Sequence, residues 1–258
     1  MADVSYTPLI EDMTWSYSRI KTYEDCPYRW FLKYIRFPHY HGGCLFFAEY
    51  GKFLHELLAG YYSGEQNAVQ TQLLYLEKFR DRVYGRPPNA TVFQKYFSDG
   101  ARYLRDIQPP PYPILAVEKQ LSFQVGQYPF TGFIDFLGDD SGLVVGDHKS
   151  RKFKPRSGRS PPTKGDLELD DYLRQLYLYS VAVKSIYGSP PKRLCINAFR
   201  SGLMIDEPYR EEAKDEACDW AKQKIEEITI KQEFDASPEY FKCRYLCEMH
   251  YLCEHFHA

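Results

Sequence analysis

Gly132-Phe-Ile-Asp135 and Gly146-Asp-His-Lys149 decide how this chain reads. The first lies in the apolar run 130–137, and the second follows the apolar run 143–145. Asp139-Asp-Ser-Gly142 supplies turn chemistry between them, so the two runs predict a β-hairpin. Side chains alternate along a strand, so Asp147 and Lys149 share a face and His148 takes the other. With Asp135 ending the neighbouring strand on that same face, two carboxylates and an amine converge. Such hard oxygen ligands suit Mg²⁺ or Mn²⁺. A lysine beside them can position, or help deprotonate, a water for attack on a phosphodiester. Taken singly, each Asp is also an ordinary turn residue, and an isolated Asp-x-Lys is common. The combination in register is far more specific.

The 258 residues are 44% hydrophobic and 26% charged, an ordinary globular balance. They predict a tail over 1–13 and a single domain over 14–258. No apolar run reaches the ~18 residues of a membrane span, and the N-terminus lacks the pattern of a signal peptide. An intracellular, cytoplasmic protein is expected. In a reducing compartment its 7 cysteines favour metal ligation over disulfides. The net charge of −2 excludes a uniformly basic surface but not a local patch. From His148 to Gly165 there is no acidic residue, while Arg151, Lys152, Lys154 and Arg156 are candidate DNA contacts beside the hairpin. Prolines and glycines there predict a mobile loop. A solvated linker is the plainer alternative.

Coarse periodicity places helices over 16–35, 49–62, 66–84 and 89–108, then a break at Pro109–Pro113. Strands follow over 114–125, 128–137 and 142–150, then a helix over 168–187, a strand over 191–200, a helix over 209–232 and a cysteine-bearing tail over 240–256. No G-x-x-x-x-G-K-[ST] is present, so the chain carries no such nucleotide-driven motor motif. Gln175 and Tyr179 share one helix face. Glu118, on the strand before Asp135, could approach the metal, but reads first as one arm of a structural salt bridge. Tyr23, Tyr28, Trp30 and Tyr34 on the first helix are aromatic candidates for stacking on single-stranded bases, or for packing.

Further motifs stand in order around the hairpin: the run Ser16 to Phe31 with its S-x-S-x-x-x-x-Y-x-x-C-P-x-x-x-F pattern, Gly51-Lys-Phe-Leu-His-Glu56, and Gln175-Leu-Tyr-Leu-Tyr179. Together they resemble the RecB-like branch of the PD-(D/E)XK nucleases. The resemblance implies an α/β, restriction-endonuclease-like core, a central mixed sheet flanked by helices. It implies a Mg²⁺- or Mn²⁺-dependent deoxyribonuclease, acting as an exonuclease on single-stranded ends. Its catalytic set would be Asp135, Asp147, Lys149, Gln175 and Tyr179. The metal would be held by His55, Asp135, Asp147 and the backbone carbonyl of His148. Recombination or repair, phage DNA processing and CRISPR adaptation are the settings implied, with protein partners or homo-oligomers.

Cys26, Cys243, Cys247 and Cys253 resemble the iron–sulfur subgroup of the same branch, which includes CRISPR-associated exonucleases and the AddB nuclease domain. That likeness implies a [4Fe–4S] cluster clasping the first helix to the C-terminal tail. Zinc is the rival, with His250, His255 or His257 able to replace a thiolate. Cys44, Cys195 and Cys218 read as buried or free thiols. Two other classes remain open: a catalytically silent DNA-binding module, and a redox-sensing iron–sulfur module.

Overall fold

The computed structural model describes residues 5–40, 42–43 and 45–256. Its centre is a five-stranded sheet in the order β1-β2-β3-β4-β5: Ile114–Val125, Tyr128–Asp139, Leu143–His148, Arg193–Ala198 and Leu203–Pro208. Every neighbouring pair is antiparallel except β3 and β4, which run parallel. A parallel pair needs a crossover. The long helix Lys164–Tyr187 provides it, starting with a capping box of Thr163 and Asp166 and stopping at the left-handed Gly188.

Helices cover both faces of the sheet. In chain order they are α1 Thr7–Glu11, α2 Tyr17–Asp25, α3 Pro27–Phe31, α4 Phe46–Tyr62, α5 Ala68–Arg82, α6 Ala90–Arg105, the crossover α7, α8 Glu211–Thr229 and α9 Tyr240–Tyr245. Strand alternation sorts the core. Val144 and Cys195 pack with Phe46, Tyr50 and Phe79 from α4 and α5. Their neighbours Val145, Leu194 and Ile196 pack with Leu176, Val183 and Ala217 from α7 and α8. The parity that sends Val145 toward α7 sends Asp147 and Lys149 the same way.

Most predicted elements are present, with instructive differences. The expected first helix is broken at Cys26, which is extended (φ −165, ψ 106) and caps α3. Pro27 disfavours helical geometry in the residue before it, so the chain restarts there. A π-type turn over Leu32–Arg36 follows. Inside the segment read as a tail, Thr7–Glu11 is helical and buries Ile10. Strand β5 was not expected; it returns through Ser201-Gly202 to pair antiparallel with β4.

The glycines of the two deciding motifs are required by neighbouring rings. A Cβ on Gly146 would run into the Phe136 ring, and one on Gly132 into the Tyr179 ring. Gly146→Ala and Gly132→Ala should each lower the unfolding free energy by about 1–3 kcal/mol through overpacking, read as a lower urea midpoint.

Candidate active site

Asp135 lies on β2, buried, where β1, β2, β3 and α4 meet. Its Oδ2 is 3.3 Å from His55 Nδ1 on α4 and accepts a 2.6 Å hydrogen bond from the His148 backbone N–H. Burial alone would raise the Asp135 carboxyl, but the His55 ring and the His148 N–H outweigh it and hold it below the usual carboxylate range. His55 is shifted upward, because Asp135 outweighs the burial that would lower it.

Asp147 lies one residue before the end of β3 and is almost fully buried. Burial pushes its carboxyl upward, Asp135 adds to the shift, and the Lys149 ammonium opposes it. Lys149 Nζ is 2.6 Å from Asp147 Oδ2. It also donates to Gln175 Oε1 at 3.1 Å, and Gln175 Nε2 donates to the Tyr179 hydroxyl at 3.0 Å. Tyr179 in turn lies across Gly132. A relay from β2 through α7 therefore fixes the lysine, and its Nζ also stands 5.3 Å from the Tyr172 ring centroid. The amine and its partners are those singled out in the sequence.

His148 points away, as the alternation requires. Its ring lies among Phe136 and Tyr62, at centroid distances of 5.1 and 5.0 Å. Burial pushes its pKa down to about 3, so the ring is neutral. Asn197 Nδ2 donates to His148 Nδ1 at 2.9 Å and approaches the Tyr103 hydroxyl at 2.7 Å. The Lys149 N–H bonds the Asn197 carbonyl at 2.9 Å, extending the β3–β4 pairing up to the lysine.

Glu118 corrects the sequence reading. Among the described residues it makes no ion pair with a lysine or arginine. Donor atoms of His55, Glu118 and Asp135 instead lie within 4.8 Å of one another. The hairpin register explains this: Val117 pairs with Phe136 and Lys119 with Ile134, which leaves Glu118 opposite Asp135. Its φ of +47 is unusual for a side-chain-bearing residue. Counting back from the Gly126-Gln127 turn would have found it. One imidazole and two carboxylates form a donor set that fits a hard divalent cation such as Mg²⁺ or Mn²⁺.

The predicted basic arm is largely engaged. Arg151 pairs with Glu168 at 2.8 Å, Lys152 with Asp99 at 3.0 Å, and Arg156 with Asp170 and Glu207, each at 2.6 Å. Phe153 is buried, and Asp166 gathers the backbone and hydroxyls of Ser157 and Thr163. Among the described residues Lys154 has no such ion pair. The first-helix aromatics are also spent: Tyr23, Tyr28 and Trp30 are buried, and Tyr34 packs against Trp30 at 5.8 Å.

Cys26, Cys243, Cys247 and Cys253 line one pocket, with His255 on its rim. None is in a disulfide. The N–H groups of Arg29 and Ser237 both point at Cys26 Sγ, at 3.4 Å. Burial raises the Cys253 thiol, and Cys26 and Cys243 add to the shift. Cys195 is buried in the core and Cys218 half-buried. His250 Nδ1 is held by the Cys247 carbonyl at 2.7 Å. Cys44 and His257 lie outside the described residues.

This arrangement of strand-borne carboxylates, lysine and helix-borne histidine has a counterpart in a known family. Residues 14–254 match the PD-(D/E)XK nuclease superfamily. The chain belongs to that superfamily, whose chemistry is phosphodiester hydrolysis. A crystal structure from Eubacterium rectale named "Putative exonuclease" shares the fold, with a TM-score of 0.53 at 12% identity over 100% of this chain and 93% of that one. A second solved structure, SSO0001, gives a TM-score of 0.30 at 16% identity over 80% of this chain and 94% of that one. No curated protein matches. No helix among the described residues is long and apolar enough to cross a membrane.

The neutral His148 has a thermodynamic signature. Its folded pKa of about 3 lies below the ordinary 6.5, so between those values the unfolded chain binds a proton that the fold refuses. Its contribution to stability should therefore fall as pH drops from about 6.5 toward about 3. His148→Gln should flatten the pH dependence of the unfolding free energy over that interval, measured in urea.

Proposed function

We propose that this protein is a Mg²⁺- or Mn²⁺-dependent DNA exonuclease of the RecB-like branch, acting on single-stranded ends inside the cell. The observation that carries the reading is the convergence of His55, Glu118 and Asp135 beside the Asp147–Lys149 pair. His55, Asp135, Asp147 and the His148 carbonyl would hold the ion, with Glu118 added to the set. When bound, the ion would neutralise charge on the scissile phosphate and lower the pKa of a coordinated water.

The chain's own groups do the rest. Asp135 stays ionised because His55 and the His148 N–H favour its charged form. Burial opposes the charged form of Asp147, and the Lys149 ammonium at 2.6 Å favours it, as a bound cation would. Lys149, held by Gln175, positions the attacking water and faces negative charge as it develops on the phosphate. Tyr179 keeps Gln175 in place. Of the four candidate DNA contacts, Lys154 is the one with no carboxylate to leave, whereas Arg151, Lys152 and Arg156 are paired.

The pocket shared by Cys26, Cys243, Cys247 and Cys253 supports a cluster-bearing clasp between the two ends of the chain. A [4Fe–4S] cluster is proposed there, with a structural rather than catalytic role. Metal analysis of protein purified without oxygen should find iron and acid-labile sulfide; zinc alone would replace the cluster with a zinc site.

An end-labelled single-stranded oligonucleotide, incubated with Mn²⁺, should be shortened progressively. Asp147→Asn and Lys149→Ala should each slow this by roughly 10²–10³-fold, the size expected when one preorganised charged group is lost. Tight binding without any shortening by folded wild-type protein would instead make it a DNA-binding module.

A further inference from the structure

Beside His55 runs a groove of about 880 Å³, lined among others by Phe47, Gly51, Lys52, Glu118 and Ser150. Phe47, Gly51 and His55 follow each other at four-residue spacing and so form one stripe of α4. The middle of the stripe is bare, because Gly51 has no side chain and meets only Ser150 across the groove, at 3.6 Å from where a Cβ would be. Lys52 is exposed on the groove wall, while the neighbouring Glu56 is drawn away by Arg82.

The far end of the stripe is aromatic. The Phe47 ring meets Phe241 of α9 at a centroid distance of 5.9 Å, and Phe241 meets Tyr245 at 5.3 Å. Phe241 is 44% exposed. On the inner side, Phe47 packs on Tyr96 at 5.1 Å. A row of rings thus leads from the surface to the head of the groove, and Phe241 in it is exposed. A bare floor, a cation on the wall and rings at the mouth together suit a chain of alternating phosphates and flat bases.

We propose that Phe47 and Phe241 form a base-stacking step at the mouth of the groove, which receives a single nucleic-acid strand. Lys52 contacts a phosphate between that step and the cutting site. This rests on the nuclease reading and adds a substrate subsite to it. Phe47 and His55 are eight residues apart, about 12 Å along the helix. At about 3.4 Å per stacked nucleotide, the stacked base lies roughly two to four nucleotides from the bond that is cut. Stacking needs an unpaired base, so the step selects single strands over duplexes.

The test is a binding cycle in Ca²⁺, read by fluorescence anisotropy, using the full chain purified without oxygen. Single-stranded oligonucleotides carry an abasic site at each position in turn. At one position the missing base should weaken wild-type binding about tenfold, the size of one lost stack. Phe241→Ala should weaken binding of the intact strand by a similar factor and show no further loss at that position. Phe241→Trp should retain both the affinity and the abasic penalty. Losses that simply multiply, or no sensitive position at all, would overturn the proposal. Cleavage of the intact strand by the wild type in Mn²⁺ reports on the nuclease reading separately. A coupled abasic effect without cleavage would keep the stacking step and discard the catalytic assignment.

Discussion

A largely enclosed ammonium is the constraint around which this molecule is arranged. Removing Lys149 from water is expensive unless opposite charge and hydrogen-bond acceptors surround it. Asp147 provides the charge at 2.6 Å, Gln175 the acceptor at 3.1 Å, and Tyr172 an aromatic face. These partners come from β3 and from α7, the crossover that the parallel β3–β4 pairing demands. The topology that closes the sheet is therefore the topology that satisfies the lysine. Tyr179 extends the support back to β2, where it lies across Gly132 in the same strand as Asp135.

The second charge, Asp135, is solved differently. It leans on a backbone N–H and on an imidazole from the opposite layer. The two carboxylates are thus given unequal surroundings, Asp135 held by hydrogen-bond donors and Asp147 enclosed with the Lys149 ammonium as its counter-charge. Unequal neighbours of this kind separate the duties of groups with the same chemistry.

Much of this was legible in the sequence, because strand alternation is a strict rule and a short turn fixes register. Asp135, Asp147, Lys149 and the outward turn of His148 all follow from it. Gln175 and Tyr179 were legible because a helix repeats nearly every four residues. Glu118 was ranked as a salt-bridge residue before a metal ligand although the same register held it, since carboxylates on strands usually find a cation. In the basic loop the charges were legible but their pairing was not. Arg151, Lys152 and Arg156 form a run without local acids, yet their partners Glu168, Asp99 and Asp170 come from elsewhere in the fold. Strand β5 escaped because Leu203–Pro208 alternates only weakly and gains its place by pairing with β4. The break at Cys26 was written in Pro27, but a strongly aromatic run on both sides outweighed it.

The joining of the chain's two ends has a consequence for the order of assembly. Arg29 finds its carboxylate on Glu248 at 2.5 Å, and the Tyr28 N–H finds the carbonyl of Asp235 at 3.0 Å. Both partners lie far along the chain from α3, beyond every strand of the sheet. Until they are made, α3 presents an unpaired guanidinium, an open thiol on Cys26 and uncovered rings. The sheet and its crossover can condense earlier, since their contacts are nearer in sequence and domains gather from the N-terminus during synthesis. The clasp thus waits on segments made after the sheet, and a chain truncated before Asp235 would keep the strands that carry the carboxylates and lose the seal over its first helices.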